Sequence, residues 1–184
     1  MVNRIMIDAG MNTRRSCSGK LLATPSQSYQ IGRELSNLLD GMRYETLFSG
    51  DSEELGGICC GTGRPSVCAS VAKQWRADCV IRLAIRASAH PSVGRVSASV
   101  FKRDEASRKM AETVLRCVER GSVLGAGEIR SSSGILLLRR TSVPSMILVL
   151  ELPFRQKEQL FASEIKEYAA AIADGIDTWA RGIR

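Results

Sequence analysis

The side chains able to do chemistry in this 184-residue chain are few and widely separated. Carboxylates stand at or near predicted strand ends and in one loop: Asp8, Asp51, Asp78 and Glu151. Such oxygens could ligate a hard metal ion, but their spacing is equally that of caps, turns and ion pairs. We interpret the one histidine, His90, as an exposed loop residue before a proline rather than as a metal ligand.

The six cysteines offer no metal site by their spacing. None forms a C-x-x-C pair, and zinc-ribbon spacing is absent. We expect buried thiols in a reducing compartment rather than a disulfide framework. The residues concerned are Cys17, Cys59, Cys60, Cys68, Cys79 and Cys117.

The glycine-rich stretch "GGICCGTGRP" raises a second chemistry, because backbone amides around Cys59 and Cys60 could lower a thiol pKa. A catalytic cysteine would need a histidine partner, and only His90 is available. The stretch also lacks the Gly-Lys-Ser/Thr ending of a phosphate loop. We therefore interpret it as a loop with two small apolar residues.

Composition predicts one soluble globular domain over residues 1–184, since 44% of the residues are hydrophobic and 24% charged. No apolar run approaches the roughly 20 residues that a membrane helix needs. The opening residues do not resemble a secretory signal. We expect a cytoplasmic location, with release by lysis as the alternative.

The net charge of +7 would suit an anionic partner such as nucleic acid. The basic residues are spread along the chain, and aromatic residues, at 5%, are too few for a base-stacking platform. A nucleic-acid role therefore depends on charge alone, and a solvated basic surface explains the charge equally well.

Strand and helix patterns alternate along the chain and must position any site. We predict strands at 4–9, 44–48, 78–85, 94–101, 134–140 and 145–152, and helices at 26–39, 66–75 and 105–120. The tail from Gln156 is predicted to end in a long helix. This order predicts an α/β fold with a mostly parallel central sheet of about six strands and helices on both faces. Ligand sites in such folds lie beyond the carboxyl ends of strands. The positions to inspect therefore follow Ala9, Leu83 and Leu150.

Several segments, in this order, resemble the zinc-dependent N-acetylmuramoyl-L-alanine amidases of cell-wall lysis and phage endolysins. "RIMIDAGMN" resembles the opening strand, which in that family usually ends in Gly-His. "VCASVAKQWRADCVIRLAIRAS" is similar to the helix and the strand ending in Ser-Ile-His-x-Asn. The later matches are "SASVFKRDEASRKMAETVLRCV", "GILLLRRTSVPSMILVLELPF" and the closing helix "EYAAAIADGIDTWAR".

The resemblance implies a zinc ion held by His, Glu and His, which activates water to cut the bond between muramic acid and L-alanine. The first His position falls on Met11, the Glu position near Thr24 and the second His position on Ala84. A thioether is a poor zinc ligand and alanine is none. All three ligands are therefore missing.

The family's catalytic glutamate falls on Glu151 when counted back from Phe154, and on Val149 when counted forward from Pro144. Both positions lie on one face of a strand. A glutamate without a metal gives no route to hydroxide at neutral pH. An ion pair with an arginine is an equal interpretation of Glu151.

We therefore predict a degenerate amidase-fold protein, without metal or cofactor, that acts as a binding, scaffold or assembly module. We expect a protein partner or a homo-oligomer, with a peptidoglycan fragment as a further candidate ligand and no membrane association. The alternative is an active amidase with an atypical metal site. Around the former zinc centre we predict a remnant pocket, whose arginines could attract an anion, lined by Met11, Thr24, Arg82, Ala84, Arg86 and Glu151.

Overall fold

The structure is a computed structural model, and it describes residues 2–9, 11–15, 21–25, 27–49, 65–88, 90, 92–153 and 160–182. The described strands are β1 (Arg4–Ala9), β2 (Met11–Arg15), β3 (Leu21–Pro25), β4 (Glu45–Phe48), β5 (Cys79–Ala87), β6 (Arg95–Phe101), β7 (Gly125–Ser132) and β8 (Ser145–Leu152). The described helices are α1 (Gln27–Gly41), α2 (Pro65–Gln74), α3 (Glu105–Gly121), α4 (Leu136–Arg140) and α5 (Ala162–Gly182).

Within the described residues, a six-stranded sheet runs in the order β4-β1-β5-β8-β6-β7, and β2 and β3 form a separate two-stranded sheet. Neighbouring strands of the large sheet are parallel except for β6 and β8. The carboxyl ends of β4, β1, β5 and β8 therefore meet at one edge. The predicted α/β fold with a mostly parallel sheet of about six strands is confirmed.

One face of the sheet packs against α1, α3 and α5. Apolar residues at helical spacing, such as Leu35 on α1, Val114 on α3 and Ile172 on α5, are fully buried. Gly175 lets α5 approach α3, because a Cβ at this position would lie 2.6 Å from the Val114 Cα. The helices contribute most of the core on this face.

The other face packs against α2 and α4. Its core joins Met6 and Val80 of the sheet to Cys68 and Ala72 of α2 and Leu137 of α4. Helices therefore cover both faces, as the sequence predicts. The two faces bury alternate residues of the central strands, because successive strand side chains point to opposite sides.

The predicted strand at 134–140 is wrong. Residues Leu136–Arg140 form the short helix α4, in which Leu137 and Leu138 are both buried. Leucine is a good helix former without the β-branching that favours strands. The sixth strand is instead β7, whose sequence "GAGEIRSS" has no apolar alternation. The hairpin β2–β3 was likewise not predicted from the sequence.

Helices α1 and α2 end in the same way. After α1, Tyr44 N–H donates to Leu39 O and Arg43 N–H donates to Asp40 O. After α2, the same two bonds run from Ala77 N–H to Ala72 O and from Arg76 N–H to Lys73 O. These are Schellman motifs. Their left-handed position, which favours glycine, is filled by Arg43 with φ 71° and Arg76 with φ 56°.

Three cysteines lie in the described residues, all as free thiols: Cys68 and Cys79 are buried and Cys117 is half-buried. Burial raises the pKa of Cys79, so this thiol stays protonated. Cys17, Cys59 and Cys60 lie outside the described residues. Among the described helices, none has the length and apolar character that spanning a membrane requires.

Candidate functional site

The predicted site positions lie at the carboxyl edge of the adjacent strands β1, β5 and β8. Ala9 at the end of β1 is opposite Leu83, and Ala84 is opposite Val149. Strand β5 continues to Ala87, two residues beyond its predicted end, and β8 ends at Leu152 as predicted. Ala84 is therefore at the level where β1 ends.

The hairpin β2–β3 brings the other two positions that the resemblance assigns to zinc ligands close together along the backbone. Met11 begins β2 opposite Pro25, and Thr24 is opposite the next residue, Asn12. Met11 follows two residues after β1, which places this backbone at the same edge as Ala84.

Arg82, Ala84 and Arg86 alternate along β5 and share one face of the sheet. Their partners across the ladder are Ile147, Val149 and Glu151 of β8. Since Val80 and Ile147 on this face pack against the α2 core, the face is the one that carries α2. The structure therefore brings Arg82, Ala84, Arg86 and Glu151 onto one face.

Asp8 is the charged centre of this face, and its side chain is 2% exposed. The Ser49 hydroxyl donates to Asp8 Oδ1 over 3.0 Å, and the Cys68 thiol donates to Oδ2 over 3.6 Å. Arg82 Nε lies 3.5 Å from Oδ2. Ser49 also accepts the Ala9 N–H at 3.2 Å, so the cluster joins β1 and β5 to α2 and to the end of β4.

Burial raises the pKa of Asp8 above its ordinary value of 3.8. The Arg82 guanidinium opposes this rise, as do the hydrogen bonds from Ser49 and Cys68. A carboxylate removed from water needs such donors to remain charged. The Asp8 cluster, which we define as Asp8, Ser49, Cys68 and Arg82, therefore supplies the counter-charge and donors that Asp8 requires.

Glu151 lies between two arginines in the sheet. Arg86 of β5 is its partner on one side, and Arg95 of β6 is its partner on the other. Both arginines are exposed, and Glu151 is half-buried. No ion pair joins Glu151 to either of them in the described part of the chain, so the predicted pairing of Glu151 with an arginine is not present there.

Asp78 and His90 are not part of the Asp8 cluster. Asp78 lies before β5 at the opposite, amino edge, where its Oδ2 accepts the N–H groups of Asn3 and Arg4 at 2.7 and 2.9 Å. His90 is exposed, and its Nδ1 lies 3.3 Å from the Ser92 hydroxyl. Asp51 and the glycine-rich loop with Cys59 and Cys60 fall outside the described residues.

A zinc ion does not fit the donors that this chain carries at the three family positions. Ala84 has only a methyl group, and Met11 and Thr24 supply a thioether and a neutral hydroxyl. Arg82, two residues before Ala84 on the same face, is a fixed cation beside the position where a dication would sit. The described residues hold no group of three or more His, Cys, Asp or Glu able to bind a metal.

Sequence reasoning identified Asp8 and Arg82 separately but missed Ser49 and Cys68 as their partners. Ser49 is 41 residues and Cys68 is 60 residues from Asp8 along the chain. The acid at the end of a buried strand was a signal that polar partners must surround it. It did not indicate which residues those partners are.

The fold is similar to those of several solved amidases. N-acetylmuramoyl-L-alanine amidase AmiC2 of Nostoc punctiforme superposes with a TM-score of 0.75 at 16% identity, covering 97% of each chain. Ami1 from Mycobacterium smegmatis gives 0.75 at 14% identity over 98% of this chain and 97% of that one. The CwlD amidase from Clostridioides difficile, solved in complex with the GerS lipoprotein, gives 0.74 at 14% identity over 98% and 99%.

These similarities define the class of protein: the chain has the catalytic-domain fold of the N-acetylmuramoyl-L-alanine amidases. The resemblance found in the sequence is thereby confirmed at the level of the fold. No protein-family model matches the chain, and no curated protein sequence matches it.

Proposed function

We propose that this protein is an amidase-fold protein without zinc-dependent hydrolase activity, which acts as a binding, scaffold or assembly module. The observation that carries the proposal is the Arg82–Asp8 pair beside Ala84. A guanidinium and a methyl group stand on the strand face where the amidase resemblance calls for a zinc-binding imidazole.

The chemistry of amide hydrolysis supports this interpretation. The zinc ion of the resembled family lowers the pKa of a bound water, so that hydroxide is available near neutral pH. Glu151, at the family's catalytic glutamate position, cannot generate that nucleophile alone. We therefore assign Glu151 no catalytic role.

A binding role follows from what remains exposed at this edge. Arg82 forms an ion pair with the buried Asp8, so of the two arginines predicted to attract an anion only Arg86 remains for a ligand. Arg95 of β6 is a second exposed cation at this edge. We propose a protein partner, including a second copy of this chain, with a carboxylate-bearing peptidoglycan fragment as the competing ligand. The CwlD–GerS complex supports the idea that an amidase fold can bind a protein.

The test combines metal analysis with a digestion assay on the purified protein. We expect less than stoichiometric zinc by plasma mass spectrometry and no release of muropeptides from peptidoglycan, with an active amidase of the same fold as the positive control. Stoichiometric metal together with released products would establish the alternative, an active amidase with an atypical site.

The assignment of the former ligand positions has its own test. The triple variant Met11→His, Thr24→Glu and Ala84→His restores the ligand types but leaves the Arg82 cation in place. Adding Arg82→Ser to these three removes it. We expect the fourfold variant to bind zinc more tightly than the triple variant, and Arg82→Ser alone to bind none. Failure of both combined variants to gain zinc would refute the assignment.

Assembly is tested separately by light scattering over a range of protein concentrations. A mass that rises from one to two or more chains would support a homo-oligomer. A constant monomer mass would leave a different protein, or a peptidoglycan fragment, as the partner, and pull-down on insoluble peptidoglycan would then distinguish these two.

A further inference from the structure

A cleft of about 180 Å³ lies at the amino edge of the sheet, between the end of α2 and the segment that joins α4 to β8. Its floor is formed by small, buried side chains: Ala69, Ala72 and Ala77. Its rim carries polar and charged groups together with one apolar residue: Lys73, Arg76, Thr141, Ser142 and Val143. Ala77, at the floor of the cleft, is roughly 23 Å from Ala84, by the rise along the seven residues that separate them.

Arg76, on the rim of the cleft, has a left-handed backbone conformation that residues other than glycine rarely adopt. Its φ of 56° is the left-handed position of the Schellman motif that ends α2. Glycine is favoured there because a Cβ crowds the backbone. The chain therefore accepts backbone strain at the residue that brings a guanidinium to the cleft.

The two cations on the rim are available to a ligand. Lys73 and Arg76 are both exposed, and neither forms an ion pair with another described residue. The Thr141 hydroxyl already donates to Leu137 O at 2.7 Å. The donors left to a ligand are therefore the Lys73 ammonium, the Arg76 guanidinium and the Ser142 hydroxyl.

The end of a helix usually repels anions, because its last carbonyl groups carry partial negative charge. At the end of α2, several carbonyl groups are already hydrogen-bonded. Ala72 O accepts from Ala77 N–H and Lys73 O from Arg76 N–H, while Trp75 O accepts from Arg4 Nη1 at 3.3 Å. The repulsion is thereby reduced, and the side-chain cations determine the charge of the cleft.

We propose that this cleft binds an oxyanion, the phosphate group of a small molecule or free phosphate, through Lys73, Arg76 and Ser142. A volume of about 180 Å³ equals that of roughly six water molecules, enough for one phosphate group and its immediate substituent. Arginine and lysine are the side chains best suited to phosphate. The site is distinct from the carboxyl edge and does not depend on the proposed loss of hydrolysis.

Arg76→Gly and Arg43→Gly form a matched pair of variants. Both replace an arginine in the left-handed position of a Schellman motif and relieve the same strain, but only Arg76 lines the cleft. Phosphate binding is measured by calorimetry with sodium phosphate, and heats with sodium chloride at equal ionic strength are subtracted.

We expect saturable phosphate binding by the wild type and by Arg43→Gly. Arg76→Gly should raise the dissociation constant about tenfold, the effect of losing one charge-assisted hydrogen bond. Lys73→Gln, on the exposed surface of α2, should weaken binding to a similar degree. The absence of saturable binding to the wild type, or equal affinities of the two glycine variants, would overturn the proposal.

The source of the phosphate is distinguished by a second titration with glycerol phosphate. Tighter binding of the monoester than of inorganic phosphate assigns the cleft to a small phosphorylated molecule, and the reverse order assigns it to free phosphate. Zinc content and peptidoglycan digestion are independent readouts of the other edge, so failure here leaves the proposed function standing.

Discussion

At the scale of single residues, the Asp8 cluster places a buried carboxylate and an arginine at the edge where the amidase resemblance places its metal. Arg82 brings a fixed positive charge to within 3.5 Å of a buried carboxylate. Ser49 and Cys68 complete its hydrogen bonds. Burial nevertheless outweighs these partners, because the pKa of Asp8 is raised.

The raised pKa of Asp8 has a defined effect on stability. Because the folded state binds this proton more tightly than the unfolded chain, stability should fall as the pH rises from about 3.8 through the raised folded value. Asp8→Asn removes this titration. We expect the free energy of unfolding in urea, wild type minus Asp8→Asn, to decrease with rising pH.

Asp174→Asn, which changes an exposed carboxylate on α5, controls for the general change in charge. If the wild-type advantage over Asp8→Asn instead grew with pH, Arg82 would outweigh burial and the direction of the pKa shift would be wrong.

At the scale of elements, the long helices were predictable because their apolar residues repeat at helical spacing over many turns. The strands of the sheet centre were predictable because they are short, apolar and bounded by turn residues. Helix α4 and strand β7 were not, since three adjacent leucines suit either structure and "GAGEIRSS" has no apolar face. Burial against α2 decides the structure of α4, and pairing with β6 decides that of β7.

The contact between α3 and α5 provides a prediction at this scale. A Cβ on Gly175 would lie 2.6 Å from Val114 Cα and 3.3 Å from Cys117 Cβ, so the two helices would have to separate. Gly175→Ala should lower the free energy of unfolding by about 2 kcal/mol, although alanine is the better helix former. Urea denaturation measures the change.

Gly41→Ala is the matched control, because nothing lies within 4 Å of its added Cβ at the end of α1. It should raise stability by roughly 0.5 to 1 kcal/mol. Equal effects of the two substitutions would show that the helix contact is less tight than described.

At the scale of the whole molecule, the amidase fold is present at only 14–16% identity to the solved amidases described above. The apolar pattern that builds the sheet and its helices tolerates extensive change, and a site does not. The positions that the resemblance assigns to zinc ligands could therefore be named from the sequence. The partners of Asp8 could not, because they depend on how distant segments pack.

The basic surface is distributed over the whole molecule. Arg43 and Arg76 lie at the amino edge, Arg86 and Arg95 at the carboxyl edge, and Arg116 on α3. Few of these cations can contact one nucleic-acid duplex at once. We expect weak binding to a short DNA duplex, with a plot of log K against log salt no steeper than about −3.

Fluorescence anisotropy with a labelled duplex at several salt concentrations measures this slope. A value near −6 or steeper would mean that at least about six phosphates are neutralised together. A continuous basic face would then exist, and a nucleic-acid partner would replace the proposed protein partner.

The Asp8 cluster also constrains the order in which the chain folds. Its hydrogen bonds to Asp8 span 41 and 60 residues, so closing them requires β1, the end of β4 and α2 to be in place already. Until then the carboxylate is better solvated by water than by protein. We therefore expect the contacts of the cluster to form after the folding transition state, so that they slow unfolding and do not speed folding.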